Sequence, residues 1–299
     1  MASWKNEELI SGKKGLAQSI VLPTCGCRYD ACYMCSYRLD CPDTTPKTIV
    51  SDMEGMMDNS VDRLKLFTSG SFLDTRELSL QQQKEIAEIV EATDISSLTV
   101  ESRPEFITEE TLESLLSGLG NTSLEVAIGL ESANNDVLRY CVNKGFTFER
   151  FCEKADLIHD YGGEVKAYLL LKPPLVSEYE AMIDVIESAH RAEAYSDTIS
   201  INPVSIHKMS VVESLWKRGS YRPPYLWTLV ACLNELRDLT PYVLSHPVGV
   251  GKPRGIHNCG VCERPIMAQV DRYNLGDRSK ISYECSCLEK WEEELKKIF

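Results

Sequence analysis

The chain has 299 residues, of which 43% are apolar and 26% are charged, an ordinary composition for a globular protein. The length suits two average domains or a single α/β barrel, and the formal net charge of -13 opposes unaided binding to a polyphosphate chain. No apolar run approaches the roughly eighteen residues of a membrane span, and residues 1–15 are too polar for a secretory signal. We therefore expect a cytosolic protein that makes no contact with a membrane.

Short β-rich runs alternate with helix-length segments along the first two thirds of the chain. The predicted strands are residues 17–23, 63–68, 97–101, 124–131, 164–171 and 198–203. Between them lie apolar residues at three- and four-residue spacing, as in residues 80–92, 147–159 and 178–194, which is typical of amphipathic helices. Six such βα units predict a parallel sheet curled into a partial (β/α)6 barrel. In such a sheet, ligands collect at the carboxyl ends of the strands.

Five cysteines directly follow the first predicted strand. They are Cys25, Cys27, Cys32, Cys35 and Cys41. Three closely spaced thiolates can cap three irons of a [4Fe-4S] cluster and leave the fourth iron open to a small molecule. Cys32 and Cys35 belong to every such set, and we favour Cys27 over Cys25 as the first ligand because a glycine precedes it and lets the backbone turn. The alternatives are a zinc knuckle made by four of the five cysteines and buried thiols that bind nothing.

Polar residues also follow the second and third predicted strands. Ser69, Gly70 and Ser71 permit a close backbone approach and offer hydroxyl and carbonyl groups to an amino group. Glu101 and Arg103 follow the third strand, where an arginine suits a carboxylate. An ordinary turn and a solvated ion pair are the alternative interpretations of these two motifs.

The last three predicted strands end in further candidate contacts. Glu131 and Ser132 close the fourth strand, and two proline-containing segments, residues 172–174 and 202–203, follow the fifth and sixth. Glu131 is a candidate ligand contact. Its alternative is a solvent-facing position beside a helix N-cap at Ser132.

The remainder of the chain predicts a small metal-binding appendage. A Pro- and Gly-rich passage over residues 241–255 indicates a boundary, so we expect a barrel domain over 1–240 and a Cys-rich region over 241–299, with a strand-like aromatic piece and a charged last helix. Cys259, Cys262, Cys285 and Cys287 have the spacing of a closed tetrahedral site, for which we favour structural zinc over an auxiliary [4Fe-4S] cluster. His257 is a possible substitute ligand.

The order of these motifs resembles the radical S-adenosylmethionine (SAM) enzymes, which share a three-cysteine loop after the first strand of a (β/α)6 barrel. Four residues separate Cys27 from Cys32, whereas most of that superfamily has three, and the variant spacing is similar to the branch with Elongator-type and archaeal tRNA-modifying members. The resemblance implies that Met34 contacts adenine and that the turn after the second strand holds the methionine amino group. It also implies that Arg103 pairs with the methionine carboxylate and that Glu101 contacts the ribose. Glu131, with Ser132 beside it, would be a second ribose or substrate contact.

Longer matches resemble the radical SAM subunit family of archaeosine synthase (RaSEA). They comprise residues 22–27, 34–37, 67–72 and the four carboxy-terminal cysteines. The resemblance implies a tRNA substrate in which a lysine is joined through its side-chain nitrogen to a 7-deazaguanine base, with C–N cleavage leaving archaeosine. It also implies an electron donor and a basic partner subunit that attaches the lysine and binds the tRNA. The acidic charge of the chain agrees with such a partner.

Other functions stay open at this point. A radical SAM enzyme of another tRNA modification, such as an Elongator-like carboxymethylation, would be expected to carry an acetyltransferase-sized extension after the barrel. A radical SAM enzyme acting on a small molecule would suit the acidic charge without a partner. A zinc-stapled binding module would hold zinc at both cysteine groups and perform no chemistry.

Overall fold

A computed structural model describes residues 1–297. Eight strands of these residues form one sheet, and their order in the sheet is their order in the chain. The strands are β1 (Ala2–Ile10), β2 (Lys13–Leu22), β3 (Arg63–Thr68), β4 (Ser97–Glu101), β5 (Ser123–Glu131), β6 (Glu164–Leu171), β7 (Thr198–Pro203) and β8 (Tyr242–Leu244). The α-helices are α1 (Ile49–Met56), α2 (Leu80–Glu91), α3 (Glu109–Leu119), α4 (Phe148–Asp160), α5 (Glu178–Ala192), α6 (Val211–Lys217), α7 (Leu226–Glu235), α8 (Glu263–Tyr273) and α9 (Cys287–Leu295).

The six predicted strands are all present. Strands β3, β4, β6 and β7 have the predicted bounds, whereas β2 begins four residues earlier and β5 one residue earlier. Strands β2 to β5 pair in parallel, and β7 pairs in parallel with β8. The strand interiors are almost wholly buried, as expected where helices cover a parallel sheet.

Two strands were not predicted. Strand β1 pairs with β2 in antiparallel register across a turn at Ser11 and Gly12, whose positive φ angles of 49° and 75° match a tight hairpin. Most of its side chains are exposed, so it has no apolar run to reveal it. Strand β8 lies inside the passage predicted as a boundary. An aromatic strand was expected within the last 45 or so residues, but the described residues after β8 form no strand. The division at residue 240 stays a prediction.

Local polar signals explain where the main helices begin. Helices α2, α3 and α5 each start with a capping box, built on Ser79, Thr108 and Ser177, which satisfies amide groups that the first turn leaves unpaired. Helix α5 ends at Ala192, two residues before the predicted end, and a short 3-10 turn follows. Within residues 1–297, no helix combines the length and the apolar content needed to cross a bilayer.

The chain divides into two compact units. The first contains Met1–Asp30, Tyr37–Gly129 and Arg150–Lys166. The second contains Ala31–Ser36, Leu130–Glu149 and the chain from Ala167 onward. The loop with the first cysteine group therefore contributes Cys25 and Cys27 to the first unit and Cys32 and Cys35 to the second.

Charged side chains are buried in the first unit. Lys65 forms an ion pair with Glu8, and the carboxylate of Glu125 lies 3.8 Å from Arg63 and 3.5 Å from Lys166. The two lysines and the hydrogen bond from Lys65 hold the pKa of Glu8 at about 2, against the opposing effect of burial. Such groups are tolerated inside a protein because they are paired.

Candidate functional site

A glycine turn leads from β2 to Cys27 in the first unit. Gly26 has a φ of +82°, and a Cβ atom there would lie 2.6 Å from the sulfur of Cys41, so the position requires glycine. The amide of Cys27 then donates a hydrogen bond to the carbonyl of Ser69 at 3.2 Å. This bond joins the cysteine loop to the small-residue turn that follows β3.

Cys25 makes different contacts. Its thiol donates to the carbonyl of Arg76 at 3.5 Å, and its amide donates to the hydroxyl of Thr45 at 3.0 Å. A thiol that donates a hydrogen bond carries its proton, whereas a metal ligand is a thiolate. The contacts of Cys25 thus lie on the Arg76 and Thr45 segments, whereas the amide of Cys27 contacts the turn after β3.

The turn after β3 is built on the carboxylate of Glu77. One oxygen accepts from the amide of Ser71 at 2.7 Å, and the other accepts from the hydroxyl of Thr24 at 2.5 Å. A Cβ atom at Gly70 would lie 1.9 Å from Glu77 Oε1 and 2.7 Å from the amide nitrogen of Cys27. Burial raises the pKa of Glu77. The carboxylate thus occupies space that only a glycine leaves free.

The predicted contacts after β4 lie beside this turn. The amide of Arg103 donates to the hydroxyl of Ser71 at 3.1 Å, and the carbonyl of Glu101 accepts from the amide of Phe72 at 2.7 Å. The guanidinium of Arg103 bonds Glu105 at 2.5 Å and lies 4.3 Å from the ring centre of Tyr29. The structure therefore brings the two predicted motifs of the first unit together.

In the second unit, Tyr33 anchors the other half of the cysteine loop. Its amide donates to the carbonyl of Val142 at 3.0 Å, and its carbonyl accepts from the amide of Val212 at 3.3 Å. Val142 ends a π-helix over Val137–Val142, a rare conformation found mostly at functional sites. Met34 packs against a buried apolar cluster that includes Val142 and Val212. The side chain of Met34 is thus positioned by packing.

The predicted residues at the end of β5 have buried partners in the second unit. Glu131 adopts a φ of +71° and forms an ion pair with Lys144 at 2.8 Å. The fully buried hydroxyl of Ser132 donates to Asp184 at 2.8 Å and accepts from the amide of Asn134 at 3.0 Å. Burial raises the pKa of Asp184 to about 6. The hydroxyl of Ser132 therefore makes its hydrogen bonds inside the protein.

The four carboxy-terminal cysteines converge in the second unit. Their sulfurs lie 3.8 Å apart for Cys259 and Cys262, 3.6 Å for Cys259 and Cys285, 3.6 Å for Cys262 and Cys287, and 3.4 Å for Cys285 and Cys287. Among residues 1–297 this is the group of ligand atoms close enough to hold one metal ion. With a metal–sulfur bond of about 2.3 Å, the edge of a thiolate tetrahedron is about 3.8 Å. The spacing therefore fits a single tetrahedral ion.

Side chains around the four sulfurs donate hydrogen bonds to them. The side-chain amide of Asn258 donates to the sulfur of Cys262 at 3.2 Å, and the indole of Trp227 donates to the sulfur of Cys287 at 3.2 Å. Asn258 Oδ1 also accepts from the amide of Leu226 at 2.8 Å, so it ties the site to the start of α7. The carboxylate of Glu263 accepts hydrogen bonds from the backbone amides of Asn258 and Gly260, each at 2.8 Å.

Several of these residues could not be recognised in the sequence. Glu77 and Asp184 are two of 45 acidic residues, and no motif surrounds them. Only Asn258 could have been noticed in the sequence, because it directly precedes Cys259 and asparagine is a common residue at helix N-caps. His257, considered as a substitute ligand, instead contacts the carbonyl of Gly255 through Nδ1 at 2.7 Å.

The chain is similar to known proteins in sequence and in fold. No family model matches the chain. The chain is 39% identical to archaeosine synthase subunit beta of Thermococcus kodakarensis, over 98% of this chain and 95% of that protein. Its fold is similar to methylornithine synthase, with a TM-score of 0.58 at 12% identity over 86% of this chain and 69% of the other. It is also similar to the radical SAM methyltransferase TsrM of Kitasatospora setae, with a TM-score of 0.51 at 17% identity over 68% and 37% of the two chains.

These similarities confirm the predicted fold class, a partial barrel of the radical SAM type with a cysteine cluster near the carboxyl terminus. The relationship to the Thermococcus protein extends over almost the whole of both chains. The chain therefore belongs to the archaeosine synthase subunit beta family.

Proposed function

We propose that this chain is a radical SAM enzyme of tRNA modification that holds a [4Fe-4S] cluster on Cys27, Cys32 and Cys35. The observation that carries the proposal is the 39% identity to an archaeosine synthase subunit beta over 95% of that protein. A fold relative is a structure with a bound [4Fe-4S] cluster. Three thiolates from one loop would leave one iron open for SAM.

The contacts of the cysteine loop support this choice of ligands. Gly26, with a φ of +82°, lets the backbone turn directly before Cys27, which favours Cys27 over Cys25 as the first ligand. The Cys27 amide bonds to the turn after β3, and the Tyr33 backbone holds the loop between Cys32 and Cys35. The chain would therefore present the thiolates on a loop that is braced on both sides of the cluster, which favours a defined position for SAM.

The surrounding residues would bind and orient SAM. SAM at such a cluster supplies a 5′-deoxyadenosyl radical, which takes a hydrogen atom from an unreactive carbon. The turn of Ser69, Gly70 and Ser71 would hold the methionine amino group, mainly through Ser69 and backbone carbonyls because the Ser71 hydroxyl is used by Arg103. Arg103, whose Nε is bonded to Glu105, would pair with the methionine carboxylate.

Three further residues are the proposed contacts of the adenosine half of SAM. Glu101 would contact the ribose, Met34 the adenine, and Glu131 the ribose or the substrate. Ser132 would act indirectly, because its hydroxyl is fully bonded inside the protein. Its role would be to fix the backbone that follows Glu131.

The proposed substrate is a tRNA with a lysine-modified 7-deazaguanine base. Loss of a hydrogen atom from the lysine carbon beside the linking nitrogen would leave a carbon radical. Transfer of one electron from this radical to a one-electron acceptor and addition of water would break the C–N bond, leaving the amidine of archaeosine and an aldehyde on the lysine-derived fragment. The charge of -13 would require a basic partner subunit that binds the tRNA and attaches the lysine. An electron donor would reduce the cluster.

The proposed metal at the four carboxy-terminal cysteines is Zn²⁺. The sulfurs are 3.4 to 3.8 Å apart, whereas an auxiliary [4Fe-4S] cluster would hold them roughly 6 Å apart, because each sulfur caps a corner of the iron–sulfur cube. A site with four thiolates has no open position. The zinc would therefore stabilise the appendage and perform no chemistry.

The test is an assay of anaerobically reconstituted protein. We expect about four irons and one zinc per chain, and 5′-deoxyadenosine when dithionite and SAM are added. The Cys32→Ala variant should form no 5′-deoxyadenosine while its circular dichroism spectrum stays unchanged. Zinc at both cysteine groups without 5′-deoxyadenosine would contradict the proposal in favour of a binding module. With lysine-modified tRNA and the partner, the product should be archaeosine, and unchanged tRNA would rule out this substrate.

A further inference from the structure

We propose that the RNA phosphate backbone docks on a cationic surface made by two loops of the second unit, residues 204–222 after β7, a loop that contains α6, and residues 246–257 after β8. This inference rests on the proposed function and locates the RNA contact of the same enzyme. The two loops leave the same edge of the sheet, because β7 and β8 are parallel. In folds of this type that edge carries the ligand sites.

The charge of the cationic surface is opposite to that of the rest of the chain. The two loops contain six lysines and arginines and a single acidic residue, Glu213. The remaining residues contain 26 lysines and arginines against 44 acidic residues. A surface of one sign on a protein of the other sign gives a polyanion one favourable place to land.

Arg254 joins the two loops into one surface. Its carbonyl accepts from the amide of Ile206 at 2.8 Å, and its guanidinium donates to the carbonyl of Ile206 at 3.2 Å. The guanidinium also bonds Glu213 at 2.5 Å and lies 4.8 Å from the ring centre of Trp216. These contacts neutralise the one acidic residue. They also place a partly exposed indole among the cations, and such rings stack on nucleic-acid bases.

The cations on this surface are accessible. Lys208, Arg218 and Lys252 are exposed, and the side chain of Lys217 is 61% exposed although it lies 3.1 Å from Glu213. Long, exposed lysines and arginines are the groups that contact nucleic-acid phosphates.

The backbone of both loops also has the features of a binding segment. Met209 is 79% exposed and has a φ of +61°, a strained conformation for a residue with a side chain. Gly249 and Gly251 have φ angles of +67° and +76°. The amides of Gly251 and Lys252 donate to carbonyls of Ile256 and Gly249 within this loop, at 2.9 and 3.1 Å, so the turn is held in one conformation and leaves the Lys252 side chain exposed. The amide of Met209 donates to Glu213 at 2.9 Å, so the start of α6 fixes this conformation while the methionine side chain stays exposed beside the cations.

RNA fits this surface better than a protein partner does. A basic partner subunit would be repelled by the cationic surface and attracted to the acidic remainder of the chain. The division of charge therefore assigns the partner and the RNA to different surfaces. Phosphates of the RNA backbone are the polyanion that the proposed reaction itself brings to the enzyme.

The test compares two double variants that remove equal charge. Lys208→Ala/Lys252→Ala changes the cationic surface, and Lys13→Ala/Lys14→Ala removes two exposed lysines at the start of β2. Binding of a fluorescent unmodified tRNA transcript by the full-length chain is measured by anisotropy between about 20 and 200 mM salt. The first variant should weaken binding about tenfold at low salt and reduce the slope of log K against log salt by about 1.5. The control variant should stay within about twofold of wild type.

The outcomes separate this inference from the proposed function. Equal weakening by both variants would show a general charge effect and overturn it. Unchanged binding by the Lys208/Lys252 variant would show that RNA does not contact this surface and would also overturn it, as would the absence of any tRNA binding by wild type at about 20 mM salt. Arg218→Ala provides a second variant if the first does not fold. Formation of 5′-deoxyadenosine by wild type without RNA reports separately on the proposed function.

Discussion

The carboxylate of Glu77 lies 2.7 Å from the backbone amide of Ser71 and accepts its hydrogen bond. The same carboxylate accepts from Thr24, which immediately precedes the first cysteine group. One buried side chain therefore fixes both the start of the cysteine loop and the turn proposed to bind the SAM amino group. Glu77 is a positioning residue in this arrangement.

Replacing Glu77 should weaken SAM binding by disordering this turn. Glu77→Ala leaves the Ser71 amide and the Thr24 hydroxyl without their acceptor, which costs about 1–3 kcal/mol for each buried group. Glu77→Gln keeps one carbonyl acceptor and should have a smaller effect. The measurements are the Kd for SAM of the cluster-loaded protein and the free energy of unfolding in urea. Glu88→Gln, on the exposed face of α2, is the control. A SAM affinity of Glu77→Ala equal to that of the control would show that the turn forms without the carboxylate.

Gly70→Ala should abolish SAM binding. The new Cβ would lie 1.9 Å from Glu77 Oε1 and 2.7 Å from the Cys27 amide nitrogen, so both the turn and the cysteine loop must move. Gly55→Ala is the matched control, since nothing lies within 4 Å of that position in α1 and alanine favours a helix by about 0.5–1 kcal/mol. Calorimetric titration with SAM should show binding for the control and none for Gly70→Ala.

Cys27→Ala and Cys25→Ala should differ in iron content. Removal of Cys27 takes away a proposed cluster ligand, whereas the thiol of Cys25 is bonded to the carbonyl of Arg76. After anaerobic reconstitution, Cys25→Ala should retain about four irons and Cys27→Ala should retain almost none, because two thiolates hold a cluster poorly. Iron and sulfide analysis decides the question. Loss of iron from Cys25→Ala alone would reverse the choice of ligand.

Asp184→Asn should stabilise the protein above about pH 6. Burial raises the pKa of Asp184 from 3.8 to about 6, so the folded chain holds a proton that the unfolded chain releases between these values. The carboxylate of Asp184 therefore lowers the stability of the wild type as pH rises through this window, by up to about 3 kcal/mol. The amide side chain of the variant stays neutral at every pH and keeps an acceptor for Ser132.

The measurement is urea unfolding of wild type and Asp184→Asn at several pH values. The stability difference should be largest at pH 7 to 8 and should vanish near pH 4. Asp160→Asn, at the exposed end of α4, controls for the general loss of a negative charge. A difference that does not change with pH would show that Asp184 does not titrate in this range.

Metal removal should destabilise the appendage and change the fluorescence of Trp227. The indole of this buried residue donates to Cys287, so loss of the metal alters its surroundings. Cys262→Ser should lose about one zinc per chain and unfold at a lower temperature, because the metal contributes to folding. Cys152→Ser, in α4, should keep the zinc.

Trp227→Phe provides the spectroscopic control for metal removal. A strong chelator should change the tryptophan emission of wild type but have little effect on that of Trp227→Phe. The other three tryptophans would then report no change at the site. An equal response in both proteins would place the change elsewhere.

The sequence alone determined the βα alternation and the positions of its central strands. The bounds of β3, β4, β6 and β7 were predictable because both faces of these strands are buried, and each strand is therefore an apolar run between turn residues. The carboxy-terminal metal site was predictable because its ligands come in two close pairs, Cys259 with Cys262 and Cys285 with Cys287. Ligands that lie close together along the chain can be recognised in the sequence without knowledge of the fold.

Only the tertiary structure decided which distant residues support the site. Glu77 meets Thr24 across 53 positions, and Ser132 meets Asp184 across 52. Strand β1 could not be predicted from the sequence because its side chains are mostly exposed. It forms a strand only through its pairing with β2. A hydrogen bond between residues far apart in the chain depends on where the backbone brings them. The periodicity and the local spacing of residues in a single sequence do not show which distant residues the folded backbone brings together.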